Sequence, residues 1–520
     1  MSGPYNAAVD LLGRNLGARA DKTAFIDADG RHSYAEVAQR AERAGAALSG
    51  LGLAPGSRIV LVLQDGVDFV TCFLGAIRSG LVPIPLNTLF PAEDLAYILS
   101  DSGAGAAVVS EPLAAVLEAA VASAGWSGQV VVSGQSGRGR TLASLLADAP
   151  IGAAPHDSQA DDIAFWLYSS GSTGRPKGAL HRHRSLALTA ELFARRVFGF
   201  EEGDVVFSAA KLFFAYGLGN ALTFPMYAGA TSVLFPGRVT PEVVGDIVGR
   251  SGVTVFCGVP TLYASLLASP QVPARGSALR LCLSAGEPLP AEVGRAWRQT
   301  TGVEIVDGIG STEMLHIFLS NRPGQIRDGA TGTPVPGYEV RLAAEDGGAV
   351  RAGEIGELYV RGPTMAAGYW NQPEKTEATF ADGWMRTGDK FEQDETGIFH
   401  HRGRSDDMLK VSGIWVSPVE VEAALAAHGD VLEAAVIGVP DASGLVKSKA
   451  FVVLKPSASA SPELAEALQQ FVKSRLAPYK YPRMIEFLDD LPKTATGKLR
   501  RHALRDMEAA KQGADRAAAR

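Results

Sequence analysis

The segment Tyr168-Ser-Ser-Gly-Ser-Thr-Gly-Arg-Pro-Lys-Gly178 concentrates residue types that hold phosphate. Its glycines let the backbone approach an anion. Backbone N–H groups and hydroxyls can donate to phosphate oxygens, and Lys177 adds positive charge. The segment is not a Walker A loop, because Gly-Lys-Ser/Thr does not follow Gly171 at the required spacing. Pro176 would also interrupt a loop that runs straight into a helix. By composition alone the run could be an ordinary Gly/Ser turn, but the order of its residues favours phosphate. Other reactive side chains point elsewhere. Cys72, Cys257 and Cys282 lie far apart in apolar runs, without metal-ligand spacing. They are expected as buried small hydrophobes in a reducing compartment. His181 and His183 stand two apart on an expected strand and would share a face, but no third metal ligand is evident. His400 and His401 are expected at surface or structural positions. Gly308-Ile-Gly310 lacks the third glycine of a dinucleotide fingerprint.

These residues need a scaffold, and 520 residues exceed one ordinary core, so two or more domains are expected. A hydrophobic fraction of 46% with 20% charged residues is that of a globular chain. The net charge of −7 argues against a nucleic-acid surface, and the basic run 498–501 is short and local. No apolar run approaches a membrane span, and residues 1–10 do not read as a leader, so a cytoplasmic location is expected. Buried strands are expected at 58–63, 106–110, 130–133, 163–168, 231–235, 253–257 and 279–284, separated by Gly- and Ala-rich helical stretches. That alternation predicts α/β architecture with largely parallel sheets. After about residue 406 the pattern changes. A helix at 418–427 precedes strands at 434–438 and 450–454. Ser461 then caps a helix, with Pro462 in its first turn and Leu464, Leu468, Phe471 and Val472 on one face. A small α+β domain fits this part, ending in a frayed helix or disordered tail at 509–520.

The glycine-rich string resembles the phosphate loop of the adenylate-forming superfamily, which holds acyl-CoA synthetases, firefly-type luciferases and peptide-synthetase adenylation domains. Further matches follow in order across nearly the whole chain. They are Ser284-Ala-Gly-Glu-Pro288, Asp307-Gly-Ile-Gly-Ser-Thr-Glu313, Gly356-Glu-Leu-Tyr-Val-Arg-Gly-Pro363 with Gly368-Tyr-Trp-Asn371, Trp384-Met-Arg-Thr-Gly-Asp389, Gly403-Arg-Ser-Asp-Asp407 and Pro492-Lys-Thr-Ala-Thr-Gly-Lys498. The resemblance implies a large N-terminal domain of stacked, mostly parallel sheets at 1–404, a hinge at 405–406, and a small mobile domain at 407–520.

The resemblance also implies the chemistry. A carboxylate is a poor electrophile, and ATP activates it by forming a mixed anhydride with AMP. Catalysis is then mostly positioning and charge stabilisation. Ser169, Ser170, Gly171, Ser172, Thr173, Gly174 and Lys177 would hold phosphates. Ser284, Ala285, Gly286, Glu287, Asp307 and Gly308 would also contact the nucleotide. Thr312 would touch the α-phosphate, and Glu313, with a weaker contribution from Thr173, would hold Mg²⁺. Asp389 would accept the ribose hydroxyls beside Arg404. Lys498 would bridge the acid and the α-phosphate. Rotation about Asp406 would then present the segment 410–415, with Lys410, Ser412 and Gly413, to the pantetheine arm of coenzyme A. A homodimer is left open. Lys498 is also a candidate for a lysine acetyltransferase, because acetylation would remove its charge.

The acid is read from Lys211-Leu-Phe-Phe-Ala-Tyr-Gly-Leu-Gly219. No Asp lies there to pair with an α-ammonium, and an unpaired ammonium is costly to bury. The aromatic residues suit a flat apolar ligand, although Phe213 and Phe214 equally suit core packing. The local wording resembles the benzoate–CoA ligase branch. That resemblance places Ala215, Tyr216, Ile309, Gly310 and His316 around the ring. Alternatives are a ligase for a substituted benzoate (4-hydroxy-, 2-amino-, fluoro-) or a short aliphatic acid, a carrier-loading module, and an inactive nucleotide-binding homologue.

Overall fold

The computed structural model describes residues 4–134, 140–169, 175–411, 414–440, 446–477, 479–493 and 499–518. Two large sheets form the N-terminal part. In the first, Val82–Pro85, Arg58–Val62, Ala106–Ser110, Gln129–Ser133 and Arg140–Thr141 lie side by side, all parallel. Ala106–Ser110 is buried along its whole length, as a strand covered on both faces must be. The second sheet has nine strands. Its middle is parallel, running through Ile305–Gly310, Leu281–Ala285, Val255–Gly258, Val205–Ser208, Thr231–Val233 and Thr23–Asp27. Antiparallel strands close both ends.

The α/β class and the buried strands match expectation, with boundaries displaced by one or two residues. A third sheet was not anticipated. Glu339–Ala343, Ile355–Arg361, Phe380–Ala381, Trp384–Gln393 and Phe399–Arg404 pair antiparallel. Its long strand Trp384–Gln393 is only intermittently buried, so it lacks the continuous apolar run that marks the other strands. A turn at Asp394 and Gly397, with Gly397 at φ +84°, joins it to the next strand.

The glycine-rich segment joins an antiparallel hairpin of Ile163–Ser169 and Lys177–Arg182. A strand follows Pro176 there, not a helix. The expectation that His181 and His183 share a strand face is corrected here. The strand ends at Arg182, and His183 is the first residue of the helix His183–Thr189. His183 Nδ1 accepts the Ala7 N–H at 3.1 Å, which satisfies a donor at the start of another helix. His181 is fully buried and stacked on Phe165, with ring centroids 5.0 Å apart.

The C-terminal part has its own apolar cores and a sheet of Val431–Pro440, Val446–Leu454 and Met484–Phe487. Ser461 Oγ accepts the Leu464 N–H and caps the helix Pro462–Arg475, whose Leu468 and Val472 are fully buried. The helix Arg501–Ala518 continues to Ala518, anchored by buried Leu504 and by Lys449 Nζ to Glu508 Oε2 at 2.6 Å. All three cysteines are buried. Among the described residues no helix is long and apolar enough to cross a membrane.

Candidate functional site

The site gathers at the carboxyl ends of parallel strands, where loops replace the ladder and ligands bind in doubly wound sheets. Val205–Ser208 leads into residues 211–216. The ends of Leu281–Ala285 and Ile305–Gly310 are paired in register, Ser284 with Asp307 and Ala285 with Gly308. Gly286 follows at φ +98°, a left-handed value that glycine adopts without strain. Asp307 is buried, and burial pushes its carboxyl up to about 8.

Lys177 opens the second strand of the hairpin, opposite Ser169 in register. That strand is pinned to the loop 367–370: Leu180 N–H donates to the Gly368 carbonyl at 3.0 Å, and Trp370 N–H to the Gly178 carbonyl at 2.9 Å. Lys177 thereby meets Tyr369 and Glu313. Its Nζ lies 3.0 Å from Glu313 Oε1 and donates to Tyr369 Oη at 2.6 Å, while Tyr369 Oη donates to Glu313 Oε1 at 2.6 Å. Burial raises the Glu313 carboxyl, but Lys177 and the Tyr369 hydroxyl outweigh it and hold the group below its ordinary range. The Ser169 hydroxyl is buried with no partner among the described residues, at the last described position before the glycine-rich loop. Ser170, Gly171, Ser172, Thr173 and Gly174 lie outside the described residues.

Asp389 and Arg404 face each other across an antiparallel pair of strands. Arg404 Nη1 stands 3.2 and 3.3 Å from the two carboxylate oxygens, and His401 Nε2 stands 3.5 Å from Oδ1. Burial raises the Asp389 carboxyl, whereas His401 and Arg404 more than offset this and leave it depressed. Just beyond, the Ser405 N–H donates to the Gly388 carbonyl at 2.8 Å, and Arg505 contacts both the Asp406 carbonyl and the Asp407 carboxylate. Lys410 pairs with Trp415 in a short antiparallel ladder; Ser412 and Gly413 lie outside the described residues. Lys498 does too, but its neighbour Leu499 donates its N–H to Glu287 Oε1 at 2.7 Å. The C-terminal segment therefore touches the loop that follows Leu281–Ala285.

A buried cluster of rings forms a further group of the residues singled out from sequence. Ala215 and Tyr216 start the helix Ala215–Leu218, which widens into a π-helical turn over Gly219–Thr223. Such turns recur at functional sites. The Tyr216 hydroxyl lies 3.1 Å from the carbonyls of Gly258 and Leu283. His316 is buried among Phe224, Phe193 and Tyr216, with ring centroids 4.4, 5.4 and 5.6 Å away. Ile309 packs at the edge of the same core. Gly310 admits the backbone of His316: a Cβ there would lie 2.5 Å from its carbonyl oxygen. Leu315, between Thr312 and His316, has φ +68°, a strained value for a leucine and of a kind that clusters at functional sites.

Residues 12–370 match the AMP-binding enzyme family, and residues 420–498 match its C-terminal domain. The chain belongs to the AMP-binding enzyme family. It is 54% identical to the benzoate–CoA ligase of Thauera aromatica over 96% of each chain. Among solved structures it resembles a benzoate CoA ligase from Burkholderia xenovorans LB400, with a TM-score of 0.91, 50% identity, and coverage of 96% of this chain and 100% of that one. It also resembles an anthranilate CoA ligase in complex with anthranoyl-AMP, with a TM-score of 0.95, 43% identity and 99% of each chain covered.

In this member of the AMP-binding enzyme family, residues singled out from sequence form three clusters: Lys177 with Glu313, Asp389 with Arg404, and Tyr216 with His316. Phe213 joins the core, and Phe214 packs against that core with its ring 4.6 Å from that of Phe213. Sequence reasoning missed four participants. Tyr369 lay inside a quoted motif without a role, although it bridges Lys177 and Glu313. His401, expected at a surface or structural position, touches Asp389. Phe224 and Phe193 carried no signal, since their approach to His316 comes only from packing.

Proposed function

We propose that this chain is an ATP-dependent benzoate–CoA ligase. Benzoate and ATP form benzoyl-AMP and pyrophosphate. The coenzyme A thiol then attacks the acyl carbon and releases AMP with benzoyl-CoA. The observation that carries this reading is the ring cluster of Tyr216, His316 and Phe224, in a chain 54% identical to a benzoate–CoA ligase. Edge-to-face rings suit a flat aromatic ligand. Burial pushes His316 down to about 3, so its ring is neutral at neutral pH. The benzoate carboxylate is therefore not paired with an imidazolium. Its charge is left for Lys498, which acts on the acid and the α-phosphate together.

The other clusters take the nucleotide. Asp389, kept ionised by Arg404 and His401, accepts the ribose hydroxyls. Lys177 and the Ser169 hydroxyl face the phosphates. Mg²⁺ fits the donor set here: it uses one or two carboxylates plus substrate oxygens, and Glu313 offers one carboxylate. When bound, it would neutralise phosphate charge. Asp406 serves as the hinge between the domains.

A test compares pyrophosphate release and thioester formation over benzoate, 4-hydroxybenzoate, 2-aminobenzoate and a short aliphatic acid. Benzoate is expected to give the highest kcat/KM for benzoyl-CoA. A higher value for the aliphatic acid would sink the reading. The pocket also makes a narrower prediction. A Cβ on Gly219 would lie 2.4 Å from His316 Cδ2 and 2.7 Å from Nε2. The same Cβ would lie 3.0 Å from Phe224 Cζ, so Gly219→Ala must displace the His316 ring within a cluster that has little room to yield. The benzoate KM is expected to rise about ten-fold with the ATP KM unchanged, as for a lost contact worth about 1.4 kcal/mol. Initial rates over both substrates check it.

A further inference from the structure

We propose that Asp65, in the loop after a strand of the neighbouring sheet, is a positioning residue that sets the shape of the acid pocket by clamping residues 211–212; this rests on reading Ala215 and Tyr216 as that pocket. Asp65 lies between the strand Arg58–Val62 and the helix Val67–Arg78. It is 6% exposed, and its Oδ1 accepts the Leu212 N–H at 3.0 Å. Leu212 is fully buried, so without Asp65 its N–H would be left without this acceptor inside the protein. Lys211 is the cation that acts on this carboxylate. Its Nζ donates to the Phe235 carbonyl and lies over the Phe235 ring, 5.4 Å from the centroid. Burial pushes the Asp65 carboxyl up to about 6, opposed by Lys211 and the Leu212 N–H. At neutral pH it is mostly ionised, which strengthens the bond it accepts.

What Asp65 holds is transmitted to the pocket. The Phe214 N–H donates to the Lys211 carbonyl at 3.0 Å, and the Leu218 N–H to the Phe214 carbonyl at 2.7 Å. The turn folds back so closely that a Cβ on Gly217 would lie 2.0 Å from the Lys211 oxygen. A shift of Lys211 and Leu212 therefore moves the backbone on either side of Tyr216. Among the described residues, none of these hydrogen bonds reaches Asp389 or Arg404, so that side of the nucleotide site is spared.

The experiment measures KM for benzoate and for ATP, with kcat, in Asp65→Ala, Asp65→Asn and Lys211→Met. Thermal melting verifies that each variant is folded. Asp65→Ala is expected to raise the benzoate KM about ten-fold while the ATP KM stays within about two-fold. Asparagine still offers an acceptor to the Leu212 N–H, so Asp65→Asn is expected to recover most of that loss. Lys211→Met keeps the buried chain without the charge and is expected to show the same acid-selective rise, in smaller measure. Should Asp65→Ala not fold, the acid-selective rise must appear in Lys211→Met. Equal rises for both substrates, no rise, or no recovery with asparagine would overturn the clamp. Failure of benzoate as the substrate is read in the wild type alone, and the same comparison is then made with its best acid. A wild type that turns over no acid overturns both proposals.

Discussion

Lys498→Ala is expected to lower benzoyl-AMP formation by about 10²–10³-fold, the range seen when one preorganised charge-stabilising group is lost. Conversion of supplied benzoyl-AMP to benzoyl-CoA is expected to stay within about three-fold of wild type. The asymmetry follows from what each step needs. Adenylation builds negative charge on the α-phosphate, and a lysine there stabilises it. In the proposed two-orientation mechanism, thioester formation breaks the anhydride once a different face of the small domain has turned to the site. The anchors beside Lys498 survive the substitution. Leu499 N–H still reaches Glu287, and Arg501 still pairs with Glu422 Oε2 at 2.6 Å. The loss therefore isolates the side chain from the docking of the segment. Stopped-flow pyrophosphate release and quenched-flow thioester formation measure the two steps separately. Equal losses in both would contradict the two-orientation mechanism.

Asp389→Ala is expected to weaken ATP at least 100-fold, seen as a raised ATP KM and as weaker binding by calorimetry. A hydrogen bond to a charged group contributes about 1.5–3 kcal/mol, and in the proposed role two ribose hydroxyls would share this carboxylate. The alanine also leaves Arg404 and His401 facing each other without the anion between them, so some loss of thermal stability accompanies it. Asp389→Asn separates the two effects. It keeps the volume and one acceptor, and is expected to melt nearer the wild type while ATP binding stays weak. The order of preference among aryl acids is expected not to change in either variant, because Tyr216 and His316 lie outside the strands that carry Asp389 and Arg404. A changed acid profile with normal ATP affinity would reassign Asp389.

Much of the scaffold was legible in the chain, and the reason is local. The segments 59–63, 106–109 and 163–168 are continuous apolar runs of strand length, as strands covered on both faces use. Ser461 and Pro462 announce their helix because capping is settled within one turn. The ordered motifs made the nucleotide chemistry readable, since a phosphate loop, a Thr-Glu pair and a Gly-Asp turn are each contiguous. What tertiary structure alone decided is how distant pieces meet. Lys177 reaches Glu313 through Tyr369 because Gly178 and Leu180 hydrogen-bond to residues 368–370, nearly two hundred positions on. His183 left the strand face expected for it because a helix begins there and an amide from residue 7 needed an acceptor. The third sheet escaped notice because its half-exposed strands carry no continuous apolar run. His401 meets Asp389 only because a register shift between Lys390 and Phe391 carries the two strands past one another. Asp65 reaches Leu212 from another sheet altogether. Register, strand order and the meeting of loops are set by hydrogen bonds and packing between remote residues, for which propensity and periodicity carry no signal.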